Sequence, residues 1–483
     1  MKGLVWLRRD LRVRDQAALS AACAECSEVV PLFVFDEPLL ESRAFGSACV
    51  NFMLGCLDGL RQSLAERGLS LIWRRGEQVE EVVRVARDFD VDTIYWNRDY
   101  EPAAIARDQA VEQRLTQDGR TVRTFKDHVV FEANEVRGLS GDPFQRYSAY
   151  RERWWSTWRS QRPSVLPAPK RNENLSGRPP TWEPPLPTAE ALGYETLRPW
   201  IEPGERAALA RLQRFLKGPV HRYVEGRNRP AVDGSSALSP HFRFGTLSVR
   251  TAVHAALDTL TAGGRVSRAD VMTWIDELVW REFFQQVLAA FPHVADGPFK
   301  RKHGLPEPRP AGSERDRLWR AWTEGRTGYP IVDAGMRQLK QTGWMHNRVR
   351  MIVASFLIKD LRLDWRDGER YFMQQLLDAD LAANNGNWQW CASTGTDSMP
   401  GYRIFNPALQ GKKFDPDGGY VRHFVPELSQ VPEKWIHEPH LMPPLEQAAA
   451  SCRIGVGYPD PIVDHGQARQ EYLDLAKATT SHA

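Results

Sequence analysis

Short apolar and β-branched runs alternate with longer mixed stretches along the first 130 residues. Segments 4–7, 29–35, 69–73, 93–96 and 122–125 have the length and composition of buried strands. Between them, 16–26, 48–67, 78–88 and 103–117 read as helices. This order predicts an α/β domain built on a doubly wound, parallel, Rossmann-like sheet with right-handed crossovers. Prolines crowd residues 162–187, and proline has no N–H for a ladder, so an irregular connector is expected there. Beyond Glu205 the pattern is helical almost throughout. Ser267 and Asp270 form a capping box ahead of the apolar run 271–284, and 334–342 and 348–361 also read as helices. The expected division is an α/β domain at 1–130, a connector at 131–205 and an all-helical domain at 206–475.

Composition narrows the class. A chain of 483 residues, 42% hydrophobic and 26% charged, is globular and too long for one core. No apolar run reaches the roughly 18–20 residues of a membrane span, and the opening apolar stretch is too short for a signal peptide. A cytoplasmic protein is expected. Six cysteines make no disulfide framework; Cys23 and Cys26 form a CxxC that no second pair answers, so they read as buried helix cysteines. The net charge of +3 neither demands nor excludes nucleic acid. After the first strand stands Arg8-Arg9-Asp10-Leu11-Arg12 in place of GxGxxG, which argues against a dehydrogenase-type dinucleotide clamp. That charged turn reads as a solvated loop with an internal salt bridge.

Candidate chemistry gathers in the second half, where many of the 17 tryptophans lie. In 384–397, Trp388 and Trp390 flank one residue within a run of Asn, Gln, Ser and Thr. Indoles in polar company suit a stacked aromatic cofactor or an extruded base; the competing reading is a tryptophan-rich turn that only packs. On the helix after Ser267, Trp274, Glu277, Trp280 and Arg281 fall within an arc of about 120°. They make either a pocket wall or an interfacial stripe with Glu277 and Arg281 paired at i, i+4. The turn 234–240 is rich in hydroxyls and enters a helix, as a phosphate site or as a plain cap. In 344–351, Arg350 could answer Asp378 or Asp380. Those two aspartates otherwise read as a metal site or a solvated loop, and no histidine or third carboxylate close to them in sequence supports a metal. There is no hydrolytic triad.

These residues resemble the photolyase/cryptochrome flavoproteins over nearly the whole chain, from 5–12 to 426–428. The resemblance rests on Trp-Ile-Asp-Glu-Leu-Val-Trp-Arg-Glu-Phe at 274–283, Thr-Gly-Tyr-Pro-Ile-Val-Asp at 327–333 and Thr-Gly-Trp-Met-His-Asn-Arg at 342–348. It rests equally on Asp-Trp-Arg-Asp-Gly-Glu-Arg-Tyr-Phe at 364–372 and the Asn-Trp-Gln-Trp loop. Within the family the chain looks most like the class I enzymes that repair cyclobutane pyrimidine dimers. The resemblance implies an N-terminal antenna domain and a C-terminal helical domain holding FAD.

By position, it implies FAD contacts at Tyr223, Ser235, Ser236, Leu238, Ser239, Trp274, Glu277, Arg281, Asn347, Arg350, Asp378 and Asp380, with Asn384 at flavin N5. Trp280 and Trp390 would wall a flipped-out dimer, with Met351 and Asn347 nearby and Glu277 hydrogen-bonding its carbonyl and imide groups. Arg227, Arg348 and Arg403 would hold phosphates of UV-damaged DNA. Light-excited reduced FAD would lend one electron to split the dimer, in a monomer that meets the nucleoid through DNA. Two positions depart from the pattern. Trp388 and Trp365 match the inner electron-transfer tryptophans, but the outer one is Gly312, leaving Trp319 or Trp322 as substitutes. Ala103-Ala104 stands where folate-binding relatives carry Asn-Glu, which disfavours methenyltetrahydrofolate and leaves a deazaflavin, a flavin or an empty antenna pocket. A cryptochrome-type photoreceptor and a (6-4) photolyase are the alternatives; Asn347 and Met351 stand where the latter normally has histidines.

Overall fold

The computed structural model describes residues 1–138, 140–170, 185–261, 267–300, 306–397 and 403–481. The chain forms two compact units, neither of them a single stretch. One comprises Met1–His221, Ser236–Ala295 and Leu377–Ala383; the other comprises Arg222–Ser235, Asp296–Leu376 and Asn384–Ala483.

The first unit is built on a five-stranded parallel sheet: β1 (Lys2–Leu7), β2 (Glu28–Asp36), β3 (Ile72–Gly76), β4 (Thr93–Asn97) and β5 (Thr121–Phe125), in the order β3-β2-β1-β4-β5. The strand order reverses between β1 and β4, as in doubly wound sheets. Leu4, Trp6, Leu32, Ile94 and Trp96 form a core with Val82, Val85, Val111 and Leu115 of the covering helices. Trp6 and Trp96 meet edge to face at 5.6 Å. Three helices run Ala17–Glu25, Gln78–Asp88 and Pro102–Gln117, close to the expected spans. β3 starts three residues later than its apolar run suggests. Leu69 and Leu71 are buried before the ladder begins, while Arg74 and Arg75 pair with Val34 and Phe35. An edge strand with one open side tolerates those arginines.

A helix the sequence reading missed, Tyr147–Gln161, lies inside the expected connector. Tyr147, Tyr150, Trp154 and Trp158 recur at helical spacing and are buried, and the helix ends at Arg162 in the left-handed conformation (φ 40°). It packs against the long helix Arg268–Ala290 of the same unit. That helix starts where Ser267 predicts, though the Ser267 side chain makes no capping bond.

The second unit is helical. It includes Ser313–Glu324, Pro330–Thr342, Asn347–Ser355 continuing into a π-helical turn at Phe356–Asp360, Trp365–Gln375, Pro407–Phe414 and His465–Ser481. The polar tryptophan stretch is a helix, Leu381–Ala392, rather than a loop. Among the described residues, no helix is long and apolar enough to cross a membrane.

Candidate functional site

The expected site residues fall in both units. In the first unit, the Arg268–Ala290 helix buries Trp274 against Phe215 at 5.0 Å, while Glu277 and Trp280 stay half-buried. Arg281 does not pair with Glu277. Its guanidinium donates to the His128 carbonyl at 2.9 Å and reaches the His128 ring. Trp280 lies face to face on Tyr147, with ring centroids 3.5 Å apart and planes within 9°.

The turn at 236–239 is short and tight. Arg211 Nε donates to the Ser236 carbonyl at 2.8 Å, Ala237 takes a left-handed φ of 46°, Leu238 is buried and Ser239 is exposed. The helix it opens, Ser239–Arg243, has only five residues.

Asp380 is the hub of a buried charge cluster. It accepts from Arg9, from Gln285 Nε2 at 3.2 Å and from the Ala383 N–H at 3.0 Å. Burial alone would raise the Asp380 carboxyl; Arg9, His128 and Arg281 hold it well below the usual carboxylate range. Burial, with Arg281 and Arg9 beside the ring, depresses His128 to about 3, so the imidazole is neutral at physiological pH.

The charged turn after β1 is therefore not a solvated loop. Asp10 and Arg12 are buried, and Arg9 reaches Asp99, Glu101 and Asp380. Asp10 accepts from the Arg8 N–H, Gln16 Nε2 and Asn97 Nδ2, each at 2.7 Å. The turn sits at the carboxyl ends of β1 and β4, where buried arginines must find carboxylates. Asp378 is buried in the same unit.

In the second unit, Tyr223 is buried with Arg227 over its ring at 5.7 Å. Gly234 lies so close to Gly226 that a Cβ on it would come within 2.5 Å of the Gly226 carbonyl oxygen, and half-buried Ser235 follows that contact. Asn347 opens its helix exposed, and Arg350 Nε donates to the Met345 carbonyl at 2.8 Å. Asn384 is buried and donates to the main-chain oxygen of Glu369 at 2.9 Å; Asn385 donates to the Glu369 carboxylate at 3.0 Å. Glu369 belongs to the 364–372 motif, yet its role was not legible there. Burial pushes its carboxyl up to about 7, although Asn385 opposes the shift.

Trp388 and Trp390, two residues apart, take opposite sides of their helix: Trp388 is buried and Trp390 half-buried. The Trp388 indole rests over Gly368, where a Cβ would come within 2.2 Å of it. Its ring neighbours are Phe372 at 5.0 Å and Trp322 at 6.4 Å; Trp322 continues to Trp319 at 5.5 Å, with Tyr371 beside both. Trp365 is buried nearby in sequence but enters no ring pair among the described residues. Gly312 adopts φ 152°, a conformation a tryptophan rarely takes.

On the basic side, Arg348 donates to Asn228 at 2.7 Å and lies over Phe414 at 4.5 Å. Its Nη1 is 3.7 Å from the Met351 sulfur. Arg403 is exposed, and its carbonyl accepts from buried Lys359 at 2.8 Å.

Comparison with known proteins adds an independent line. Residues 3–170 match the family model for DNA photolyase, and residues 274–478 match the one for the FAD binding domain of DNA photolyase. A deoxyribodipyrimidine photo-lyase of a Synechococcus strain is 40% identical, covering 98% of this chain and 96% of its own. One from Escherichia coli is 38% identical over 98% of both. Among solved structures, a bacterial class III photolyase from Agrobacterium tumefaciens superimposes with TM-score 0.88 at 36% identity, covering 99% of this chain and 98% of that one. A Synechocystis cryptochrome gives 0.86 at 28%, covering 98% and 99%. A Sulfolobus tokodaii photolyase, described with two FAD molecules, gives 0.77 at 31% and covers both chains fully.

Proposed function

Because the chain belongs to the DNA photolyase family, we propose that it is a light-driven repair enzyme that splits cyclobutane pyrimidine dimers in UV-damaged DNA. The observation that carries this reading is the fixed amide of Asn384, held by Glu369 beside the Trp388 seat.

The residues fit a flavin nucleotide. Asn384 spends an N–H on the Glu369 carbonyl, so its Oδ1 is left to accept from an N–H donor such as N5 of reduced flavin. It does so without adding charge. The hydroxyls of Ser235, Ser236 and Ser239 suit the diphosphate. Tyr223, Leu238, Trp274, Asn347, Arg350 and Asp378 supply apolar and polar contacts, while Arg281 and Asp380 act within their buried cluster, holding the wall firm. Bound and reduced, such a flavin would supply light-driven one-electron donor chemistry for splitting the dimer.

The chain's own work is binding and positioning. Trp280 and Trp390 offer indole faces to a dimer whose poor stacking lowers the cost of flipping it out. Glu277 hydrogen-bonds its carbonyl and imide edge and stabilises charge that develops there; Met351 and Asn347 are the second unit's candidate dimer contacts. Arg227, Arg348 and Arg403 bind phosphates, giving salt-sensitive affinity. Trp388, Trp322 and Trp319 form the ring series along which an electron from an external reductant would reach the cofactor, with Trp365 secondary. The antenna, if the first unit carries one, is a flavin or deazaflavin rather than a folate, given Ala103-Ala104.

The similarity to a cryptochrome supports a second reading, a blue-light receptor. Illuminating the reduced protein with dimer-containing oligonucleotide separates the two: repair supports the enzyme, and flavin photochemistry without repair supports the receptor.

A further inference from the structure

The geometry points to Tyr147 as a positioning residue for damage recognition, a role resting on the dimer pocket proposed above. Its ring covers one face of Trp280 at a centroid distance of 3.5 Å with the planes within 9°. Its hydroxyl donates at 2.8 Å to the main-chain oxygen of Asp276. Asp276 lies four residues before Trp280, so its carbonyl belongs to the helical turn that carries the indole.

The same residue is gripped twice more from the Tyr147 helix. Arg151 Nε donates to the Asp276 carboxylate at 2.7 Å, and Trp155 Nε1 donates to it at 3.1 Å. Phe283 and Phe284 meet the indole at 5.8 and 5.6 Å. Trp280 is thus backed by one ring and flanked by two, yet it remains half-buried while Tyr147 is buried. An ordinary core tryptophan would be covered all round. This one is a fixed plate with surface left over.

A plate held in one rotamer loses little side-chain freedom when a flat ligand stacks on it, so the fixation favours binding. The dimer profits; undamaged duplex, whose bases stay stacked, does not touch the plate. Tyr147 therefore acts on the ratio of the two affinities and not on phosphate binding.

The test is dark binding of the purified holoprotein to matched oligonucleotides with and without a thymine dimer. Tyr147→Leu, which keeps apolar volume but removes the stack, should weaken dimer binding about tenfold and leave undamaged-DNA binding and flavin content unchanged. Tyr147→Phe, which keeps the stack, should restore most of the preference. In a Trp280→Ala background, Tyr147→Leu should add no further loss. Unchanged discrimination in Tyr147→Leu would overturn the proposal, as would equal loss for both oligonucleotides. If the dimer preference survives Trp280→Ala as well, the pocket reading itself fails; if Trp280→Ala loses it and Tyr147→Leu keeps it, this proposal alone fails.

Discussion

Asn384 gives its side-chain N–H to the main-chain oxygen of Glu369 at 2.9 Å, while Asn385 donates to the carboxylate of that same residue at 3.0 Å. Two adjacent amides are thus tied to one acidic residue through different atoms, and the orientation of Asn384 is set. Replacing it by aspartate puts a charge where an uncharged acceptor stood. Asn384→Asp is expected to keep flavin bound but shorten the dark lifetime of the reduced form about tenfold, one pKa unit's worth of energy. Flavin absorbance after chemical reduction reads this directly; equal lifetimes would remove Asn384 from the flavin.

Glu369 also sets a pH dependence. Burial raises its folded-state pKa from 4.5 to about 7, so the folded chain holds that proton more tightly than the unfolded chain. The stabilisation is full below the unfolded value and is lost as pH rises through about 7. Relative to Glu369→Gln, wild type should lose about 1.4 kcal/mol of stability between about pH 6 and 8. Urea unfolding at the two pH values checks it, and parallel pH profiles would mean the carboxyl titrates normally.

Trp322 is the ring through which Trp388 meets Trp319. Trp322→Phe should slow light-driven flavin reduction at least about tenfold, more than Trp365→Phe does, whereas chemically reduced Trp322→Phe should repair normally. A larger effect from Trp365→Phe would return the relay to the route expected from the motifs.

The Arg9–Asp380 pair is largely shielded from solvent and lies within one unit. Arg9→Met leaves Asp380 short of its main counter-charge and should cost about 3–5 kcal/mol of stability. A drop in unfolding free energy below about 1 kcal/mol would mean Gln285 and Arg281 suffice.

Local signals carried the sheet and most helices: apolar runs marked β1, β2 and β4, and their order was enough to predict a parallel doubly wound sheet. They misplaced β3, because buried Leu69 and Leu71 precede the ladder while arginines occupy it. The helix Tyr147–Gln161 was absorbed into the connector because the proline-rich stretch after it dominated the local composition. Asn384–Trp390 resembled a turn because its amides are polar, yet those amides serve partners on another helix. Contacts across long separations were illegible: nothing in sequence joins Arg9 to Asp380, 371 residues apart, or Tyr147 to Trp280. Motifs named the candidate residues; only the fold reveals which ones hold the others still.

The most direct measurement is the recovery of thymine absorbance when the reduced protein is illuminated with an oligonucleotide carrying one cyclobutane thymine dimer, with a dark control. Dimer repair predicts recovery in the light, none in the dark, and a marked loss of efficiency in Glu277→Ala that still binds flavin. A flavin-loaded wild-type protein that binds the oligonucleotide but restores no absorbance under light would contradict it.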